Sequence, residues 1–410
     1  MKKKLFALGA AAVLALGLAS CGEAGDANVI KLEYSGTGSN KEFNLSLFED
    51  FKAARKAAGD THTYQITYVE HGPDLVDSEV QDWVVGPDVF EFASDKITAL
   101  YEKGALAKIS GANATFLEEN NSELGTGLAT FNGDYYAYPY TGDNTYYFQY
   151  DKSLISEDQV GSIESIFAVC EEKGLKLGYE LETSFWGAAS LFTFGADYSM
   201  TFDADGAVAG VEADFNSEKG LKAGKALLEI MKSPYWQNAM AVPTPKNGLV
   251  GCIAGTWDIA TYKEELGDNY GCAPMPTITV DGDTQHLGAF LGGKLLGVNP
   301  QRAQGNADRL AAAHQLAVFL SGKECQLKRF DDQGVAPCNI EAAKEERVLA
   351  SPNVQVLLEQ AKFAHPQTAV PAAFWTAPNT LTAGIKAGDI TLDNLQAAID
   401  TLNNSIRGAK

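Results

Sequence analysis

Gly288 to Lys294 reads GAFLGGK, most of a glycine-rich loop that would cradle phosphates with its backbone N–H groups, but Leu295 stands where such a loop needs Ser or Thr to hold magnesium. Nucleotide binding is therefore not expected. The five histidines are scattered, no HExxH pair offers zinc two imidazoles on one helical face, and no GxSxG elbow presents a nucleophilic serine. His314 falls in an Ala/Leu-rich helical run and reads as structural rather than catalytic. Asp203-Ala204-Asp205-Gly206 and Asp281-Gly282-Asp283 lie between apolar runs and read as hairpin turns; neither completes the spacing of a calcium loop. After Cys21 there remain Cys170, Cys252, Cys272, Cys325 and Cys338, an odd number without CxxC spacing, so a zinc site has no support. Disulfides such as Cys252 with Cys272 or Cys325 with Cys338 suit an exported chain, and buried free thiols suit it equally. Paired carboxylates able to hydrolyse a glycosidic bond stay open, because their separation in space decides that chemistry. No metal or cofactor is expected.

Cys21 is the exception among the cysteines. Lys2, Lys3 and Lys4 followed by the apolar run Leu5 to Ala19 form a secretion leader, too short to span a bilayer, which takes about 20 apolar residues. Leu18-Ala19-Ser20-Cys21 resembles the bacterial lipoprotein signal, in which the Cys thiol takes a diacylglycerol and the Cys becomes the mature N-terminus. That resemblance implies a signal peptide over 1–20, lipidation at Cys21 with a palmitate-type chain, and a polar tether over 21–28. It also implies anchoring by membrane lipid at the outer face of the bacterial cytoplasmic membrane, since several acyl chains on one residue anchor stably without a spanning helix. The formal charge is −21 and becomes more negative when the three leader lysines are lost. With no basic patch to offset it, nucleic acid is not expected as a partner.

The elements that must position any site alternate between strand and helix. Val29 to Tyr34 reads as a strand, Ser35 to Ser39 as a turn, and a helix begins near Asn44 with Leu45, Phe48 and Phe51 on one face and Gly59 as its stop. A strand over Tyr64 to Val69, the turn Gly86-Pro87-Asp88, a strand over Val89 to Phe92 and a helix through Leu100 and Tyr101 follow. This order predicts an α/β lobe. Near the end Leu392, Leu395, Ile399, Leu402 and Ile406 keep helical spacing, with Thr391 as candidate N-cap. At about 150 residues per domain, the length and a 45% hydrophobic fraction suit two domains with sizeable cores.

Four stretches carry a resemblance when taken in order. They are Gly86-Pro87-Asp88-Val89-Phe90-Glu91-Phe92-Ala93-Ser94-Asp95-Lys96 continuing to Leu106, Tyr138-Pro139-Tyr140-Thr141-Gly142-Asp143 running into Tyr150-Asp151-Lys152, Gly255-Thr256-Trp257-Asp258 with Ala273-Pro274-Met275-Pro276 after it, and Ala373-Phe374-Trp375. Together they resemble the maltose-binding group of the sugar-specific extracellular solute-binding proteins, over nearly the whole mature chain. The resemblance implies a two-lobe periplasmic-binding-protein-like fold of class II, each lobe a mixed sheet flanked by helices with the ligand cleft between them. Lobe 1 would take 28–141 plus 287–336 and lobe 2 would take 142–286 plus 337–410. The implied function is the carbohydrate-capturing subunit of an ABC importer, a monomer that delivers its ligand to ABC permease subunits in the membrane and is not an enzyme. The alternatives kept open are an extracellular glycoside hydrolase and a binding protein for a non-sugar solute.

By the same resemblance the ligand-binding residues are Phe92, Asp95, Lys96, Asp143, Trp257 and Trp375, with Phe185 or Trp186 as a further platform. The chemistry fits, because the C–H faces of a sugar pack on aromatic rings while its hydroxyls exchange charge-assisted bonds with carboxylates and ammonium groups. This chain departs from the group at Thr37-Gly38, where an Asp-Lys pair is usual, and at Thr376 and Asn379, where Tyr and Arg are usual. Several polar contacts to maltose are thereby missing, which leaves maltodextrin as one candidate among oligosaccharides and monosaccharides. Paired tyrosines, Tyr135-Tyr136 and Tyr146-Tyr147, read as strand residues rather than as iron ligands.

Overall fold

A computed structural model describes residues 28–408. The leader, Cys21 and all of the tether but Asn28 lie outside the described residues.

The first strand, Val29–Gly36, pairs in parallel with Thr63–Glu70 on one edge and Val89–Ala93 on the other. The helix between the first two strands, Lys41–Ala57, buries Asn44, Leu47, Phe48 and Phe51, an i, i+3, i+4, i+7 stripe against the sheet. The expected stripe thus shifts at one position, from Leu45 to Leu47, and the helix starts one turn earlier. Gly59 follows its end at φ +84°, which costs an ordinary side chain but not glycine.

Eight strands run in the order Trp236–Gln237, Lys176–Gly178, Leu249–Gly255, Tyr138–Asp151, Phe290–Val298, Val89–Ala93, Val29–Gly36, Thr63–Glu70. The unusual member is Tyr138–Asp151, whose fourteen residues are all buried. Its first part pairs antiparallel with Phe290–Val298, and its second part pairs antiparallel with Leu249–Gly255 on one edge and Tyr270–Ala273 on the other. One strand therefore serves two half-sheets. Around the first half-sheet pack Tyr34, Phe48, Phe51 and Leu296 on one face and Phe90, Phe92, Leu100 and Leu295 on the other. A larger core surrounds the second, with Tyr146, Phe148, Leu177, Leu227, Phe290, Phe374 and Ile399. This is the mixed α/β, two-lobe architecture expected from the sequence.

GAFLGGK runs into the Phe290–Val298 strand, not a phosphate loop. Its glycines answer to close packing: a Cβ on Gly292 would stand 2.6 Å from Gln367 Oε1, and one on Gly293 would stand 2.5 Å from Thr141 O. Both aspartate-rich stretches are hairpin turns, between Tyr198–Phe202 and Val208–Ala213 and between Thr277–Val280 and Asp283–His286. At the far end the helix is Leu395–Arg407, preceded by Asn394, so Thr391 is not its cap and Leu392 is exposed.

All five cysteines in the described residues are free. Cys252 and Cys272 both face Gln149 from opposite edges of the Tyr138–Asp151 strand. They are thus two strand spacings of about 4.8 Å apart, beyond the roughly 7 Å a disulfide can bridge. His314 bonds the Tyr138 hydroxyl through Nδ1 at 2.8 Å, and burial pushes its imidazole down to about 4. It is a neutral packing residue. Among the described residues no group of three or more His, Cys, Asp or Glu could hold a metal, and no helix is long and apolar enough to cross a membrane.

Candidate ligand-binding cleft

Three turns at strand or helix ends bring aromatic rings together. Phe185 sits in the short helix Ser184–Ala189, Trp257 in the 3-10 turn Thr256–Asp258 that ends the Leu249–Gly255 strand, and Trp375 closes the 3-10 turn Ala372–Trp375. Ring centroids lie 6.0 Å apart for Phe185 and Trp257, and 6.5 Å apart at 25° for Phe185 and Trp375. Side-chain bonds fasten two of these segments to each other and the third to the crossing strand. The Ser184 hydroxyl donates to the Trp375 carbonyl, and Thr256 Oγ1 donates to Asp143 O at 2.6 Å. Trp257 remains 40% exposed although it belongs to a rigid turn, whose Gly255 N–H donates to Asp258 Oδ2 at 3.2 Å. An exposed tryptophan held this firmly is a surface ready to be covered.

Opposite the aromatic turns, the 3-10 turn Ser94–Lys96 leaves the end of the Val89–Ala93 strand. A cavity of about 380 Å³ lies here, with Asp77, Asp95, Lys96 and Thr98 on its polar wall and Met200, Val208, Val211, Val370 and Trp375 on its apolar wall. Its size falls in the usual range for small-molecule sites, about 300 to 1,000 Å³. Asp95 Oδ1 accepts from Gln367 Nε2 at 2.7 Å. Burial pushes its carboxyl up to about 6, against the pull of Lys96 and of that hydrogen bond. Lys96 Nζ lies 3.8 Å from Asp77 Oδ1. Asp77 Oδ1 and Thr98 Oγ1 are buried without hydrogen-bond partners, which is unusual for polar atoms and marks this wall as more than packing.

The structure thus gathers Asp95, Lys96 and Trp375 around one cavity, and Phe185 and Trp257 continue the ring cluster from Trp375 outside its lining. Three residues are placed otherwise. Phe92 is fully buried against Phe90 in the lobe 1 core, so its ring has no face left for a ligand. Asp143 is 3% exposed and its Oδ2 accepts from Ala336 N at 2.7 Å, tying the crossing strand to the 334–338 segment; it is a strut. Trp186 is 4% exposed, 4.2 Å from Tyr146 and 6.0 Å from Trp257, and backs the platform without being part of it. Sequence reasoning passed over Asp77, Thr98, Gln367 and the apolar side of the 198–213 hairpin. Only the alternation of the hairpin strands was available as a signal, and it says nothing about which surface they meet.

A model of bacterial extracellular solute-binding proteins matches residues 48–356. The maltodextrin-binding protein MdxE of Bacillus subtilis strain 168 is 23% identical over 99% of this chain and 98% of its own length. One solved structure, described as "with acarbose", superposes with a TM-score of 0.80 at 26% identity, over 92% of this chain and 98% of that one. The ligand-free maltodextrin-binding protein MalE1 of L. casei BL23 gives 0.77 at 22% identity, over 92% of this chain and 98% of that one. A cyclo/maltodextrin-binding protein complexed with maltotetraose gives 0.69 at 17%, over 91% and 96%. The last two, at such identities, speak for the fold alone.

Proposed function

This chain belongs to the bacterial extracellular solute-binding proteins, and on that premise we propose that it captures a carbohydrate of the maltodextrin class between its lobes and hands it to an ABC permease. Membership puts it among binding proteins rather than enzymes. One observation carries the ligand class: Trp375, at one end of a ring cluster that runs through Phe185 to the exposed Trp257, shares a cavity with the polar side chains of Asp95, Lys96, Asp77 and Thr98. An apolar wall beside a hydroxyl-reading wall suits a sugar, whose two faces differ in the same way. The relative of Bacillus subtilis and the acarbose-bound structure support the maltodextrin class over other sugars.

In this reading lobe 1 is about 28–141 plus most of 287–336, lobe 2 is about 142–286 plus 337–410, and the molecule acts as a monomer that closes on its ligand. We move the division of the returning strand from 287 to Gly292–Lys294, because its register with the crossing strand shifts there and Phe290 packs in the lobe 2 core. Export, the signal peptide and the lipid anchor at Cys21 rest on the leader sequence. Mass spectrometry of the native N-terminus should find an acylated Cys21; an unmodified residue there would remove the anchor from the account.

A thermal-shift panel of maltose, maltotriose, maltotetraose, acarbose and unrelated monosaccharides tests the ligand class. A ligand at 100 times its Kd adds about 2.7 kcal/mol of stability, a shift readily measured. The glucose oligosaccharides should stabilise the mature chain and the unrelated sugars should not; the opposite pattern would reassign the ligand.

A further inference from the structure

Gln367 joins the ligand cavity to the strands that pass between the lobes. Its residue is 2% exposed. Nε2 donates to Asp95 Oδ1 at 2.7 Å, and Oε1 accepts from Asn144 Nδ2 at 2.8 Å. Its backbone is held as well: the N–H donates to Leu291 O at 2.9 Å, and the carbonyl accepts from Ser94 Oγ at 2.6 Å. Ser94 Oγ in turn accepts from Gly293 N at 3.3 Å. The amide orientation follows from its neighbours, since an ionised carboxylate only accepts and the Asn144 NH₂ group only donates. Gly292 leaves room for this amide, because any Cβ there would strike Oε1.

Asn144 lies on the crossing strand, and Leu291 and Gly293 lie on the returning strand where their shared register shifts. One side chain therefore touches both strands and the carboxylate that lines the cavity. We propose that Gln367 is the positioning residue that holds the Asp95 carboxylate toward the ligand and fixes it to the two interlobe strands. The inference rests on the carbohydrate reading of the cavity given above.

A carboxylate held by a donor stays ionised to lower pH, and the ionised form accepts more hydroxyl bonds than the acid. The charged and titratable groups facing Asp95 are Lys96, which favours ionisation, Asp77, which opposes it, and Tyr198 from the hairpin. Glu102 lines the same cavity. None of these donates to Asp95 as Gln367 does. Removing the Gln367 donor should therefore move the Asp95 titration upward from its midpoint of about 6.

The test has two arms on the mature chain. In the first, carboxyl carbon NMR of Asp-labelled protein without ligand follows the Asp95 signal, assigned by its loss in Asp95→Asn. Gln367→Glu, nearly isosteric, and Gln367→Ala should both raise the midpoint by about one unit or more, a tenfold change in the protonation equilibrium. In the second arm, calorimetric titration with maltotriose from pH 5 to 8 should show affinity falling as pH drops through that midpoint, at higher pH in both variants than in the parent. Asp95→Asn should bind weakly with no such step. An unmoved Asp95 midpoint in both variants overturns the inference whatever binds. A moved midpoint with no maltotriose binding by the parent chain leaves Gln367 as the residue that sets Asp95 and removes the carbohydrate reading instead.

Discussion

Trp257 and Phe92 are both large aromatic residues in stretches that resemble one family, yet one is 40% exposed and the other fully buried. The difference is local. Trp257 stands two residues past the end of its strand and turns outward over Gly255, whereas Phe92 sits in a strand whose five residues are buried on both faces. The family resemblance offers Phe92 as a platform, and alternation cannot assign a face in a strand buried on both sides. The substitutions should separate. Phe92→Ala should cost about 3 to 5 kcal/mol of folding stability, as for a core aromatic. Trp257→Ala should move the urea midpoint far less, because little of its contact is lost on truncation. Equal losses in urea unfolding would place Trp257 in the core. The family resemblance names Asp95, Lys96 and the rings that the structure brings together; it does not name Gln367, whose partner lies 272 positions away with no local pattern to announce it.

At the scale of elements, the hairpin of Tyr198–Phe202 and Val208–Ala213 reaches from the core of the second half-sheet onto the core around Phe90 and Phe92. Phe202 packs edge-on to Phe131 at 5.1 Å, and Phe131 packs on Tyr101 at 4.9 Å. A Cβ on Gly206 at the tip would stand 2.6 Å from Tyr101 Cε1. The turn itself could be read from Asp203-Ala204-Asp205-Gly206, but its docking surface could not, because that surface is made by the other core. Since the contact bridges the two cores beside the cavity, Phe202→Ala should weaken ligand binding while leaving both cores intact. Losing one edge-on aromatic pair is worth about 0.5 to 1.5 kcal/mol, or roughly 2- to 12-fold in Kd. Calorimetry with maltotriose checks this; unchanged affinity would make the hairpin contact incidental to closure. The returning strand teaches the same lesson, since its glycines imitate a phosphate loop in sequence and prove to be spaces for Thr141 and Gln367.

For the molecule as a whole, the shared sheet concentrates buried acid groups where the lobes meet. Burial raises Asp95, Asp143 and Asp258 each to about 6, so the folded state holds protons that the unfolded chain, with aspartates near 3.8, has released. Between those values stability is present at low pH and is lost as pH rises through about 6. His314 acts oppositely, its stabilisation declining as pH falls from 6.5 toward 4. Three carboxylates outweigh one imidazole, and the strongly negative charge adds repulsion at higher pH. The urea midpoint of the ligand-free chain should therefore be higher at pH 5.5 than at pH 7.5; a flat or reversed profile would mean that these groups are more hydrated than the structure shows. The two-lobe class was legible because four stretches spread along nearly the whole chain resemble one family. The single sheet through both lobes was not, because its continuity depends on pairings between residues as distant in sequence as Val89 and Val298.

The proposed function requires a sugar to lie between the Trp257 and Trp375 rings and the Asp95 turn. Calorimetric titration of the mature chain with maltotriose, alongside Trp257→Ala and Trp375→Ala, tests this most directly. Saturable binding by the parent, with each variant losing about 1 to 3 kcal/mol, roughly 5- to 150-fold in Kd, is the expected result. Binding by the parent that survives unchanged in both folded variants, or no binding of any glucose oligosaccharide by the parent, would contradict it.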